Sequence, residues 1–119
     1  MGYTTKFEGE LLFGNVLTNL QEQELLKFLG EDCRDHPEWK SGDLTHIDLE
    51  FNEDKSGIRW NGSEKTYELP EKINLIISKM CEKFPEFSLI GTLEAQGEEH
   101  TDRWNLEMEN NKAIHNDYP

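Results

Sequence analysis

The densest group of reactive side chains in this sequence is the run Gly30-Glu31-Asp32-Cys33-Arg34-Asp35-His36-Pro37-Glu38-Trp39. A thiol, an imidazole and carboxylates this close together are the parts of a nucleophile–base pair or a metal site. The spacing argues against both, because there is no C-x-x-C and no pair of histidines four residues apart. Acids on either side of Cys33 disfavour its thiolate. An enzyme built on Cys33 and His36 therefore ranks behind the binding readings below. No catalytic residue, metal or cofactor is expected. Arg34 is expected to pair with neighbouring acids, and Trp39 to plug an edge of the core.

A second polar group, Gly97-Glu98-Glu99-His100-Thr101-Asp102-Arg103-Trp104, sets a guanidinium and an indole among acids. Together with Arg34, His36 and Trp39, residues Arg103 and Trp104 would suit a planar, nucleotide-like ligand. Trp104 also opens an apolar strand face, which favours packing. Asn52, Asp54, Ser56 and Gly57 follow the start of a calcium loop, but its twelfth position is Ser63, which cannot give the bidentate carboxylate. No phosphate-binding glycine loop and no G-x-S-x-G occurs.

The elements that would position these groups follow from periodicity. Tyr3, Thr5, Phe7, Gly9, Leu11 and Phe13 alternate with Thr4, Lys6, Glu8, Glu10 and Leu12, which predicts a half-buried strand. Thr18 and Gln21 make a capping box; Leu20, Leu25, Leu26, Phe28 and Leu29 give a helical stripe and Gly30 a C-terminal cap. The first helix is thus expected over 19–29. Residues 45–51 alternate again, with Ile47, Leu49 and Phe51 opposite His46, Asp48 and Glu50, and 58–60 complete a hairpin. Pro70 opens a second helix that carries Ile73, Ile76, Ile77, Met80 and Phe84 and stops at Pro85. Strands over 87–96 and 104–109 follow.

This order predicts an α+β fold: a ferredoxin-like split βαβ, β-α-β-β-α-β plus an extra C-terminal strand. Two helices should cover one face of an antiparallel sheet. Residues 1–109 form a single domain and 110–119 a C-terminal tail, in which Ala113 and Ile114 are able to extend the sheet edge. The expected core contains Phe7, Leu49, Ile73, Ile77, Leu93 and Leu106.

Turning those side chains toward the helices leaves Glu8, Glu10, Asp48, Glu50, Glu94, Glu107 and Glu109 on the open face, offset by Lys6 and Arg59. Residues two apart on a strand stand about 7 Å apart and neighbouring strands about 5 Å, so like charges would repel across the sheet. Such a surface would compete with phosphates for a basic protein.

Composition sets the bounds. A chain of 119 residues supports one core. Its net charge of -13 opposes direct contact with nucleic acid, whose affinity depends on Lys and Arg. Cys33 and Cys81 are the only cysteines and are expected to remain reduced thiols. No apolar run approaches membrane-spanning length and no signal segment is evident, so a cytoplasmic protein is expected.

GEDCRDHPEW, from Gly30 to Trp39, and GTLEAQGEEHTDRWNLE, from Gly91 to Glu107, resemble a family of small bacteriophage and prophage proteins, as does the opening YTTKFEGEL. The resemblance carries no catalytic residues. It implies a phage protein acting in the cytoplasm of a bacterial host. The leading expectation is therefore a non-enzymatic, acidic anti-defence or host-takeover inhibitor that occupies a nucleic-acid-binding surface of a bacterial protein, without binding nucleic acid or membrane. A homodimer is compatible with this reading, and the small-ligand site is the alternative.

Overall fold

The alternation around Phe7 and Leu11 does produce extended chain, cut into β1 (Lys6–Glu8) and β2 (Leu11–Phe13). The computed structural model describes residues 4–118, so Tyr3 lies outside it. Both pieces pair with β5 (Leu89–Gln96) in one unbroken register: Glu8 faces Glu94, and three residues on, Leu11 faces Gly91. The interruption is a bend. Gly9 and Gly91 have φ of 106° and 117°, a region that only glycine enters without strain. A Cβ on Gly9 would stand 2.8 Å from the Thr92 carbonyl oxygen, and one on Gly91 2.9 Å from that of Glu10. Both strands therefore bend at the same place and keep their inside and outside faces.

Helix α1 (Asn19–Leu26) starts at the predicted capping box: Gln21 N donates to Thr18 Oγ1 at 3.2 Å and Thr18 N to Gln21 Oε1 at 2.9 Å. It ends before Leu29, and its apolar stripe is buried only in part, Phe28 just beyond the helix being buried and Leu29 packing on the core. Leu25 is buried, but Leu20 and Leu26 are 69% and 59% exposed. The leucines lie on two sides of this short helix, so one packing face cannot hold them all.

Strands β3 (Leu49–Phe51) and β4 (Gly57–Trp60) form the expected hairpin, but residues 45–48 stay outside it. In that stretch His46 makes an isolated bridge to Asp32. Helix α2 (Leu69–Lys83) buries Ile73, Ile76, Ile77 and Met80. β6 (Arg103–Glu109) then leads into β7 (Lys112–Asp117).

β7 replaces the expected tail. Asn110 and Asn111, with φ of 51° and 63°, form a two-residue turn of the type whose twist suits a hairpin. The Asn111 amide accepts from Leu89 N and donates to the Phe87 carbonyl, both at 3.0 Å. Asn74 of α2 accepts from Ala113 N at 2.7 Å and donates to its carbonyl at 3.1 Å. That side chain occupies the outer edge of β7 as another strand would.

The sheet runs β3-β4-β2-β5-β6-β7, with β1 also on β5, and every pair is antiparallel. All the expected core residues, Phe7, Leu49, Ile73, Ile77, Leu93 and Leu106, are buried in one cluster with Leu11, Leu25 and Met80. Phe7 anchors it, edge-on to Trp60 at 5.8 Å and to Trp104 at 5.6 Å.

If the glycine bend holds β1 and β2 in one register, Gly9→Ala lowers the unfolding free energy by about 2 kcal/mol. Urea denaturation measures it, and a loss under about 0.5 kcal/mol would rule out a tight crossing at Gly9.

Candidate functional site: the open face of the sheet

Alternation along the paired strands fixes what the uncovered face displays. Glu8 and Glu94 lie directly opposite, as do Leu12 and Ile90, Thr92 and Glu107, Glu109 and Lys112, and Glu50 and Arg59. Glu8, Glu10, Glu94, Glu107 and Glu109 are exposed and Glu50 is half-buried. Leu12 and Ile90, 40% and 55% exposed, form an apolar pair among them.

The face is less one-sided than expected. Besides Lys6 and Arg59, register brings Arg103 beside Gln96 and Lys112 beside Glu109. Several carboxylates also have partners. Arg59 Nε donates to Glu50 at 2.9 Å, Asn52 Nδ2 to Glu10 at 3.3 Å and Asn116 Nδ2 to Glu107 at 3.0 Å. Glu94 accepts from the Tyr118 hydroxyl. Glu8 is different: among the described residues nothing hydrogen-bonds or ion-pairs with it, and it faces Glu94 across the strands. Beside this pair a hollow of about 310 Å³ is lined by Lys6, Glu8, Glu94, Ala95, Gln96 and Arg103. Much of the remaining acidity lies in loops, in Glu31, Asp32, Asp35, Glu38 and Asp43, and again in Glu98, Glu99 and Asp102.

Asp48 does not belong to this surface. It precedes β3, is 6% exposed, and acts electrostatically on Lys72 of α2. Strand alternation fails there because the ladder starts only at Leu49.

The 30–39 segment folds as two short 3-10 turns, Cys33–Asp35 and Pro37–Trp39. As expected, Arg34 pairs with an acid, its Nη2 lying 2.7 Å from Asp32. Arg34 holds the Asp32 carboxyl far below the usual carboxylate range. Cys33 is buried, and burial pushes its thiol up. Both ring nitrogens of His36 are taken by carboxylates: Nε2 lies 3.0 Å from Glu31 and Nδ1 3.2 Å from Glu38. Its ring stacks on Trp39 at 4.0 Å, and Trp39 in turn packs on Phe28. Among the described residues no three metal-ligating groups converge, and both cysteines are free.

The alternative ligand set is not assembled. His36 and Trp39 line a hollow of about 410 Å³ beside α1, without Arg34. Arg103 faces the open side, 5.4 Å from the Tyr118 ring, whereas Trp104 points inward to Phe7 and stacks on His115. Alternation on β6 puts these two neighbours on opposite faces. Among the described residues no helix is long and apolar enough to cross a membrane.

No family model matches this chain, and no curated protein or solved structure shows significant similarity to it.

The carboxylates around His36 have a measurable consequence. The hydrogen bond to Glu31, then that to Glu38, hold its pKa above the ordinary histidine value. The charged form is thus favoured by folding, so its contribution is complete below the ordinary value and disappears as pH rises through the raised one. The stability difference between the wild type and His36→Gln should shrink over that window in urea titrations. A difference that is constant with pH would show that the carboxylates do not hold the imidazolium.

Proposed function

We propose that this chain is a non-enzymatic binding protein whose open sheet face docks on a basic surface of a bacterial protein, one that ordinarily holds nucleic acid. The observation that carries this reading is the Glu8–Glu94 pair, directly opposed on a face that no helix covers. Like charges across a strand pair destabilise a sheet. A partner cation placed over them would relieve that repulsion on binding. Leu12 and Ile90 supply an exposed apolar pair four residues along the same strands, the arrangement of a protein interface with a polar rim.

We read the order β3-β4-β2-β5 as a split βαβ, ferredoxin-like arrangement extended by β6 and β7. The extension widens the uncovered face. The setting we propose, a bacteriophage anti-defence or host-takeover inhibitor in the host cytoplasm, rests on the motifs that resemble phage proteins. The overall charge of -13 supports long-range steering toward a basic partner and works against contact with nucleic acid itself. The nucleotide-like ligand reading has less support, because Arg103 and Trp104 lie on opposite faces of β6.

The test is capture from a bacterial lysate on the immobilised chain, at low and high salt. Capture should be lost toward 1 M salt, where screening acts within about 3 Å. The triple variant Glu8→Gln, Glu10→Gln, Glu94→Gln should retain much less protein while melting at the same temperature or higher. Cys33→Ser with His36→Ala should retain as much as wild type. The captured protein, once purified, should lose affinity for its nucleic acid when the chain is added. Full retention by the triple variant would contradict the proposal.

A further inference from the structure

At the β3 edge of the sheet, residues 45–48 and the segment 63–67 border an open hollow of about 490 Å³ lined by Thr45, His46, Asp48, Ser63, Glu64, Lys65 and Tyr67. Asp48 is the unusual member. It is 6% exposed, yet among the described residues its carboxylate has no hydrogen bond or ion pair. No fully buried side-chain oxygen among those residues lacks a partner, so the Asp48 oxygens keep their remaining access to solvent, and the hollow is where Asp48 reaches the surface. An almost buried carboxylate to which no protein group donates depends on donors from solvent or from a bound group.

Behind it lies Lys72, 1% exposed, whose Nζ donates to Thr45 Oγ1 at 3.2 Å. Asp48 acts electrostatically on Lys72, which takes none of its hydrogen-bonding capacity. Tyr67, 40% exposed, supplies an aromatic wall, and Glu64 adds a second carboxylate at the rim.

We infer that this hollow receives a guanidinium group, donated by an arginine of the basic partner. A carboxylate with both oxygens free matches the paired, parallel N–H groups of a guanidinium. That group is weakly hydrated and stacks on aromatic rings, so it settles into an open hollow beside Tyr67 more easily than an ammonium does. The identity of the occupant rests on the docking reading above. The pocket itself is separate from Glu8 and Glu94.

The test uses N-acetyl-arginine amide as probe, titrated into the full chain and followed by amide and aromatic NMR shifts. Shifts should centre on Thr45, Asp48 and Tyr67. N-acetyl-lysine amide should bind at least about tenfold more weakly, a difference of about 1.4 kcal/mol. Asp48→Asn should abolish arginine binding. Tyr67→Leu, which leaves Asp48 and Lys72 in place, should weaken it several-fold, with thermal melts showing that each variant is folded. Equal binding of the two probes, no shift at these residues, or preference for guanosine monophosphate over arginine would overturn the proposal. The variant Glu8→Gln, Glu10→Gln, Glu94→Gln should bind the arginine probe like wild type. Arginine binding without protein capture would therefore refute the docking reading alone, and capture without arginine binding would refute this pocket alone.

Discussion

The constraint on which this fold depends is the single register that β1 and β2 keep against β5 through the paired bend at Gly9 and Gly91. A slip of one residue would exchange the faces of the strand. Phe7 and Leu11 would then meet water, and Glu8 and Glu10 would meet the helices. Because the register holds, Phe7 reaches both Trp60 and Trp104, and one aromatic cluster ties the N-terminal strand to β4 and β6. The same register sets Glu8 against Glu94. The interaction that secures the core thus also creates the charged pair on the open side.

Polar side chains then close the parts of the sheet that backbone pairing leaves open. Asn111 holds the start of β5 from the last turn, and Asn74 occupies the free edge of β7. A sheet edge satisfied by a side chain is a poor template for another strand. Strand addition at this part of β7 is thereby disfavoured, while the open face stays uncovered. There Leu12 and Ile90 offer contact area, and the surrounding charges offer orientation.

Much of the interior was legible in the sequence, since every expected core residue sits where a period of two or 3.6 places it. Periodicity failed where tertiary context overrides it. Leu20 and Leu26 look like core positions, but an eight-residue helix buries only one side. Asp48 alternates correctly with Ile47 and Leu49, yet it lies ahead of the ladder and is buried, within electrostatic reach of Lys72. β7 had a readable signal in Asn110-Asn111, two residues that tolerate positive φ between alternating segments. The hollow around Asp48 had none, because it exists only once residues 63–67 fold over a stretch distant in sequence. The open face is less acidic than alternation alone implies for a related reason: Arg103 and Lys112 join it only through the pairing of β6 with β5 and β7.

The central claim is that the open face is the docking surface, and its most direct test is the accessibility of the Leu12 and Ile90 methyl groups to a soluble paramagnetic agent. In the free chain both should relax strongly, as side chains 40% and 55% exposed must. In complex with the captured basic protein both should be protected, while the methyl groups of Leu20 and Leu26 on α1 remain accessible. Protection of the α1 leucines with Leu12 and Ile90 still exposed would contradict the account and move the interface to the helix.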